Sequence, residues 1–531
     1  MKAKEWIENG ETAVGIELGS TRIKAVLVAK DGTVLASGSH MWENRYENGI
    51  WTYSLDDIWT GLKKSFATLK EDVFMHYKQN LTKVGAIGFS AMMHGYLAFD
   101  ASGELLVPFR TWRNTLTEEA ADILTARFDF NIPQRWSIAH LYQAILNKEE
   151  HLDKLAYITT LAGYIHWKLT GEKVIGIGDA SGMFPIDSKT RDYDKKMAEE
   201  FDELVKEEGY AWRLNDILPQ VLVAGDQAGT LSEEGARLLD PTGMLEAGIP
   251  VCPPEGDAGT GMTATNSVAV RTGNVSAGTS VFAMIVLEKP LHSVHKEIDI
   301  VTNPMGDDVA MVHCNTCSSE IDAWANMFAQ FSEAMGYEKD MNKIYNVIFN
   351  SAVEGNVDCG KIVGFNYYSG EPVTGFSEGR PMLIRTADST FTFANFMRLQ
   401  LYSAVSALKY GLDILFKEEN VPIDKMYGHG GFFKTKGVGQ RIMSAAMHAP
   451  VSVMDTAGEG GAWGIAVLAL YSVFRKTGQS LPDYLEKEMF SDTKGETLEA
   501  SKQEMDGFDA YMERYCAAFP VLQSAIDNVL Q

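Results

Sequence analysis

Apolar and polar positions along the first forty residues fall into short runs broken by turn formers. Val14–Leu18 and Ile23–Val28 read as two strands joined by Gly19-Ser20-Thr21-Arg22, with a further turn at Asp31-Gly32 and a third run from Val34 to Ser37. The period then changes. With Asp56 as N-cap, Ile58, Leu62, Phe66, Leu69 and Val73 recur at helical spacing and predict an amphipathic helix to about Tyr77. Val84–Ser90 is apolar enough for a buried strand. Hairpins followed by alternating helix and strand indicate an α/β domain with a mixed sheet.

The second half opens in the same way. Ser267–Val270 and Val281–Val286 read as strands flanking Gly273-Asn274 and Gly278-Thr279-Ser280. In both halves a Gly followed by two hydroxyl residues leads into a strand. This repeat predicts two domains of similar fold, each aiming a hydroxyl-rich turn at a shared cleft. Leu401, Val405, Leu408, Leu412 and Leu415 mark one long core helix. Nothing is low-complexity and no Pro- or Ser-rich linker separates the halves, so the hinge is expected to be short and near residue 260.

Composition narrows the partners. A chain of 531 residues with 45% hydrophobic and 22% charged positions suits two large globular domains. The net charge of −24 argues against binding nucleic acid or an anionic membrane, both of which want a basic surface. Residues 1–15 lack an apolar core of signal-peptide length, and the apolar stretch from Gly461 to Phe474 is shorter than the ~20 residues of a membrane span. Five cysteines form no disulfide framework. Cys314 and Cys317 make a C-x-x-C beside His313, but no second pair lies at finger spacing, which favours buried thiols over zinc. A cytoplasmic protein is expected.

Four places carry candidate chemistry. Gly19-Ser20-Thr21 could cradle a phosphate, with Lys24 adding charge and Glu17 holding Mg²⁺ through water; a plain hairpin is the bland alternative. Ser90-Ala-Met-Met93-His94-Gly95 ends a strand, and Trp112-Arg113-Asn114 follows shortly after. A ring, an imidazole, a guanidinium and an amide suit a polyhydroxyl ligand, and would equally serve a structural His and a surface loop. Gly256-Asp257-Ala-Gly-Thr-Gly261 sets one carboxylate among small residues before a helix, either as a general base or as a helix cap. Tyr427-Gly-His-Gly430-Gly431-Phe-Phe-Lys434 and Glu459-Gly460-Gly461-Ala462 are glycine pairs that admit a nucleotide or make ordinary turns.

In their order along the chain, these motifs together with Leu169-Thr-Gly171, Gly178-Asp-Ala-Ser-Gly182, Ser276-Ala-Gly-Thr279, Gln440 and Gly461-Ala462-x-Gly464 resemble the FGGY carbohydrate kinases over residues 12 to 475. The resemblance implies two actin-like ATPase (ribonuclease H-like) domains with a cleft between them. They are expected at 12–262 and 263–485, with a helical tail at 486–531. It implies Asp257 as catalytic base, with Met93, His94, Trp112, Arg113 and Asn114 on the sugar. Gly19, Ser20, Thr21, Lys24, Gly278, Thr279, Gly430, Gly431 and Lys434 would hold ATP, and Glu17 with Asp257 would hold Mg²⁺. The partners implied are a small sugar and MgATP, with room for a homodimer.

The sequence departs from the family pattern where Glu17 replaces an Asp, where Trp-Arg-Asn replaces Trp-Asn-Asp, and where the second signature is blurred around Arg398–Ala404. As a whole it looks most like ribulokinases of arabinose catabolism, while the Met93-His94 loop alone looks like xylulokinase. L-ribulose is therefore the expected substrate and D-xylulose the alternative. Two readings from other classes are an actin-like ATPase without a sugar site and a sugar-binding regulator without catalysis.

Overall fold

The structure, a computed structural model, describes residues 2–454, 460–491 and 495–529. Glu459 of the second glycine-pair motif lies outside these.

In the first half the expected meander forms strands β1 (Thr12–Leu18), β2 (Arg22–Ala29) and β3 (Val34–Met41), followed by helix α1 (Leu55–Tyr77) and strand β4 (Ala86–Ala91). Their apolar faces are almost wholly buried, with Ile16, Leu18, Ile23, Leu62, Phe66 and Phe89 in one core. The cap of α1 is Ser54 rather than Asp56: the Ser54 hydroxyl accepts the Asp57 N–H at 3.1 Å, while Asp56 sits in the first turn where its charge favours the helix dipole. Strand β5 (Glu255–Gly256) runs directly into helix α2 (Asp257–Ala264). The sheet order is β5-β4-β1-β2-β3, in which β1/β2 and β2/β3 are antiparallel and β1/β4 and β4/β5 parallel.

The second half repeats that topology with β6 (Thr272–Ala277), β7 (Val281–Val286), helix α3 (Phe393–Asp413), β8 (Lys425–His429), β9 (Val451–Met454), helix α4 (Gly460–Phe474) and β10 (Gly495–Leu498). Here β6/β7 is an antiparallel hairpin, β6/β8 and β8/β9 are parallel, and β9/β10 is antiparallel. The expected strand Ser267–Val270 does not form: the chain turns there and Arg271, at φ 65°, precedes the strand that starts at Thr272.

Packing divides the chain into two units. One comprises Met1–Val268, Asp299–Val309 and Thr456–Thr493, and the other Ala269–Ile298, Ala310–Asp455 and Lys494–Gln531. The expected bounds 12–262, 263–485 and 486–531 differ from these units in the placing of residues 299–309, of helix α4 and of the C-terminal residues. Helix α4 belongs with the first unit, because Gly461 and Gly464 let it lie flat against Glu17 and the backbone of Thr260. The C-terminal residues are no separate tail, since Tyr511 and Tyr515 pack against Tyr402 and Phe365 inside the second unit. No helix among the described residues is long and apolar enough to cross a membrane.

Candidate active site

Strands β1, β4 and β5 end side by side, with Glu17 paired to Ser90 and Ser90 to Glu255 in the parallel register. Carboxyl ends of parallel strands are where α/β sheets present ligand-binding groups. Asp257 is the first residue of α2, following Gly256 as N-cap. Its Oδ1 accepts the Met93 N–H at 3.2 Å, and further amides at the helix start point to the carboxylate. The residue stays exposed, yet the protein crowded around the carboxyl raises its pKa above the ordinary Asp value, with these amides opposing the rise. An accessible carboxylate with raised basicity is equipped to take a proton from a hydroxyl.

Glu17 stands next to it. Burial is the main reason its pKa rises to about 7, the Asp257 charge adds to that, and the Ala462 N–H and Lys24 pull the other way. Lys24 is the direct cross-strand partner of Glu17. A Cβ at position 461 would collide with Glu17 Oε1, so only glycine lets the start of α4 approach this carboxylate. Two carboxyl groups that repel one another, one accessible, form a donor set that a hard divalent cation would relieve. Glu17 and Asp257 are thus the residues that would face a divalent cation such as Mg²⁺. By themselves, no three His, Cys, Asp or Glu side chains among the described residues cluster tightly enough to hold a metal.

His94 is buried and adopts φ 68°, a conformation non-glycine residues seldom take. Its Nδ1 lies 3.3 Å from the Gly182 carbonyl, so Nδ1 carries the proton and Nε2 is left as an acceptor. Burial, then the Arg135 charge, holds the imidazole well below its ordinary pKa and hence neutral. The ring stacks on Trp136. Two residues on, Tyr96 pairs with Arg110, which brings the loop Thr111–Asn114 alongside. In that loop Trp112 and Arg113 are exposed, and the Arg113 guanidinium lies 4.3 Å from the Trp51 ring centre. Asn114 is buried, and its amide is engaged with backbone: Oδ1 accepts from Trp51 N–H, and Nδ2 donates to the Trp51 and Thr111 carbonyls.

Two further carboxyls lie behind Asp257. Glu255 accepts the N–H groups of Gly178 and Asp179, while Asp179 Oδ2 accepts the Thr160 hydroxyl at 2.5 Å and Oδ1 has no partner among the described residues. Both are fully buried and pushed well above the carboxylate range, chiefly by burial. Asp179 stood in the sequence only as part of Gly178-Asp-Ala-Ser-Gly182. A single buried carboxyl carries no periodic signal that would single it out.

In the second unit, the Gly278 and Thr279 carbonyls are held by the amides of Ser318 and Cys317, and Thr279 is exposed. Gly430, at φ 103°, packs so closely on the Ala277 backbone that a Cβ would clash, whereas the α-faces of Gly278 and Gly431 are open. Lys434 is exposed beside them in sequence. Gln440 faces away from ligand duty, donating to the Val451 and Glu496 carbonyls. Cys314 and Cys317 are buried free thiols.

The FGGY family of carbohydrate kinases matches the chain in both halves, its N-terminal domain over residues 12–263 and its C-terminal domain over 273–473. The chain belongs to this family and is a sugar kinase that uses ATP. Among curated proteins it is 23% identical to the xylulose kinase of Haemophilus influenzae, over 75% of this chain and 77% of that one. It is 22% identical to a glycerol kinase of Thermococcus kodakarensis, over 52% and 54%. Among solved structures, the xylulose kinase of Lactobacillus acidophilus superposes with a TM-score of 0.78 at 15% identity, covering 98% of this chain and all of the other. A gluconate kinase from the same organism gives 0.77 at 16% identity, covering 98% and 99%. The family match and these likenesses together show the two-domain fold of sugar kinases.

Proposed function

We propose that the protein phosphorylates a ketopentose with MgATP, and that D-xylulose is preferred over L-ribulose. The observation that carries this is the pairing of His94 and Asp257 around Met93: a neutral imidazole offers an acceptor Nε2, while the Met93 amide aims the Asp257 carboxylate. Four curated relatives named xylulose kinase, from Haemophilus influenzae, Escherichia coli, Staphylococcus xylosus and Klebsiella pneumoniae, support the same choice. The case for L-ribulose is the whole-chain resemblance to ribulokinases, together with Trp112-Arg113-Asn114 in place of Trp-Asn-Asp, which would set donors where acceptors are usual. Asn114 spends its amide on Trp51 and Thr111, which leaves Arg113 alone to make that distinction.

In the proposed reaction Asp257 removes the proton of the terminal hydroxyl as that oxygen attacks the γ-phosphorus, and ADP leaves in line. Gly19, Ser20 and Thr21 orient the phosphates, with Lys24 adding positive charge. In the second unit, Gly278, Thr279, Gly430, Gly431 and Lys434 contribute the nucleotide contacts. Mg²⁺, when bound near Glu17 and Asp257, would offset charge on the transferring phosphoryl group. Trp112 presents an apolar wall to the C–H face of the sugar. The test is kcat/KM for D-xylulose, L-ribulose, D-ribulose, a hexose, gluconate and glycerol at saturating MgATP. D-xylulose should lead. Glycerol, gluconate or the hexose outperforming every pentulose would overturn the assignment, and L-ribulose exceeding D-xylulose tenfold would reverse the order.

A further inference from the structure

The phosphate turn and the sugar loop of the first unit share a physical link outside the family motifs. All three carbonyls of Gly19-Ser20-Thr21 are taken by one aromatic segment. Trp42 Nε1–H donates to Gly19 O at 2.7 Å, the Tyr53 hydroxyl to Ser20 O at 2.6 Å, and the Trp42 amide to Thr21 O at 3.2 Å. Carbonyl oxygens repel phosphate, so drawing them into this segment orients the turn with that repulsion removed. Trp42 and Tyr53 are themselves stacked, with ring centres 4.1 Å apart, and both are buried.

Between these two aromatics the chain makes the hairpin Arg45–Glu47/Ile50–Thr52. At its far side Trp51 is held on both backbone atoms by Asn114: its N–H donates to Asn114 Oδ1 at 2.9 Å, and its carbonyl accepts from Asn114 Nδ2 at 2.8 Å. The Thr111 amide donates to the same carbonyl, and Arg113 covers the Trp51 ring. One twelve-residue segment is thus bonded to the phosphate turn at one end and to the sugar loop at the other.

We propose that Trp42–Tyr53 is a positioning strap that couples occupancy of the sugar loop to the geometry of the phosphate turn, with Trp42 and Tyr53 as positioning residues for the nucleotide. This rests on the kinase reading above. Sugar that orders Trp112–Asn114 would, through Trp51, restrain Tyr53 and with it the Ser20 carbonyl. ATP should therefore bind more tightly once sugar is present.

Tyr53→Phe keeps the stacked ring and removes only the hydroxyl. Trp42→Phe removes the Nε1–H donor while keeping a ring in place. A non-hydrolysable ATP analogue with Mg²⁺ is titrated calorimetrically with and without D-xylulose. Each variant should weaken analogue binding by about 3–10-fold, the worth of one hydrogen bond to a partly buried carbonyl, while D-xylulose binding alone stays within about twofold. Asn114→Ala, acting from the other end, should shrink the gain in analogue affinity on adding sugar. Its double variant with Tyr53→Phe should lose no more of that gain than the worse single, because both cut one linkage. Unchanged analogue affinity in both aromatic variants, or no gain with sugar in the wild type, would overturn the proposal. A wild type that phosphorylates no ketose would overturn the ketopentose assignment instead, and the sugar-free titrations of Tyr53→Phe and Trp42→Phe still decide the strap's grip on the turn.

Discussion

The charge of Asp257 acts on Glu17, and together with burial it lifts the Glu17 pKa to about 7. Glu17 leaves β1 and Asp257 begins α2, so two elements far apart in sequence bring two carboxyls into one electrostatic unit. The Ala462 amide and Lys24 counter the repulsion only in part.

That arrangement predicts how magnesium dependence should change with pH. A raised pKa means Glu17 holds a proton below about pH 7 and releases it above, and the proton competes with the cation. The Mg²⁺ concentration for half-maximal rate should fall as pH rises from 6 to 8 in the wild type. Glu17→Gln should need more Mg²⁺ and show a flatter pH dependence, whereas Glu17→Asp should be mild. Equal Mg²⁺ curves for wild type and Glu17→Gln would leave Glu17 a packing residue.

Gly461→Ala places a methyl group against Glu17 Oε1 and near the Thr260 hydroxyl. Such overpacking typically costs ~1–3 kcal/mol. Thermal melting should drop by several degrees, and Mg²⁺ affinity should fall because Glu17 must move. A variant with wild-type melting and Mg²⁺ dependence would show that α4 shifts freely.

Asp179 supplies a stability test. Burial raises its pKa to about 8, the Thr160 hydroxyl opposes this, and the Asp257 charge adds to it. Glu255 and Tyr193 also feel its charge. The folded chain holds this proton where the unfolded chain has lost it, so stability falls as pH rises from about 4 toward 8. Asp179→Asn removes that slope. Denaturant midpoints should show the variant gaining on the wild type between pH 5 and pH 8. A constant difference between the two across that range would contradict the assignment.

Much of this architecture is legible in the sequence, and the exceptions share a cause. Alternation and helical spacing locate β1, β2, α1 and α3, because those elements bury one face against nearby chain. The repeated Gly-hydroxyl turn points to the paired hairpins β1/β2 and β6/β7. Asp257 stands out because small residues surround it. What local pattern cannot show is long-range placement. Helix α4 returns to pack on Glu17 after more than 440 residues, and Asn114 reaches back 63 residues to Trp51. Ser267–Val270 has strand-forming residues, yet the turn through Arg271 overrides them.

The central claim is that Asp257 is the base. Asp257→Asn keeps the shape and the Met93 contact site while removing basicity. The direct measurement is single-turnover phosphorylation of D-xylulose by this variant, alongside calorimetric D-xylulose affinity. The account predicts a rate lowered about 10²–10⁴-fold with sugar affinity kept within a few fold. A variant retaining more than about a tenth of the wild-type rate would remove Asp257 from the chemistry.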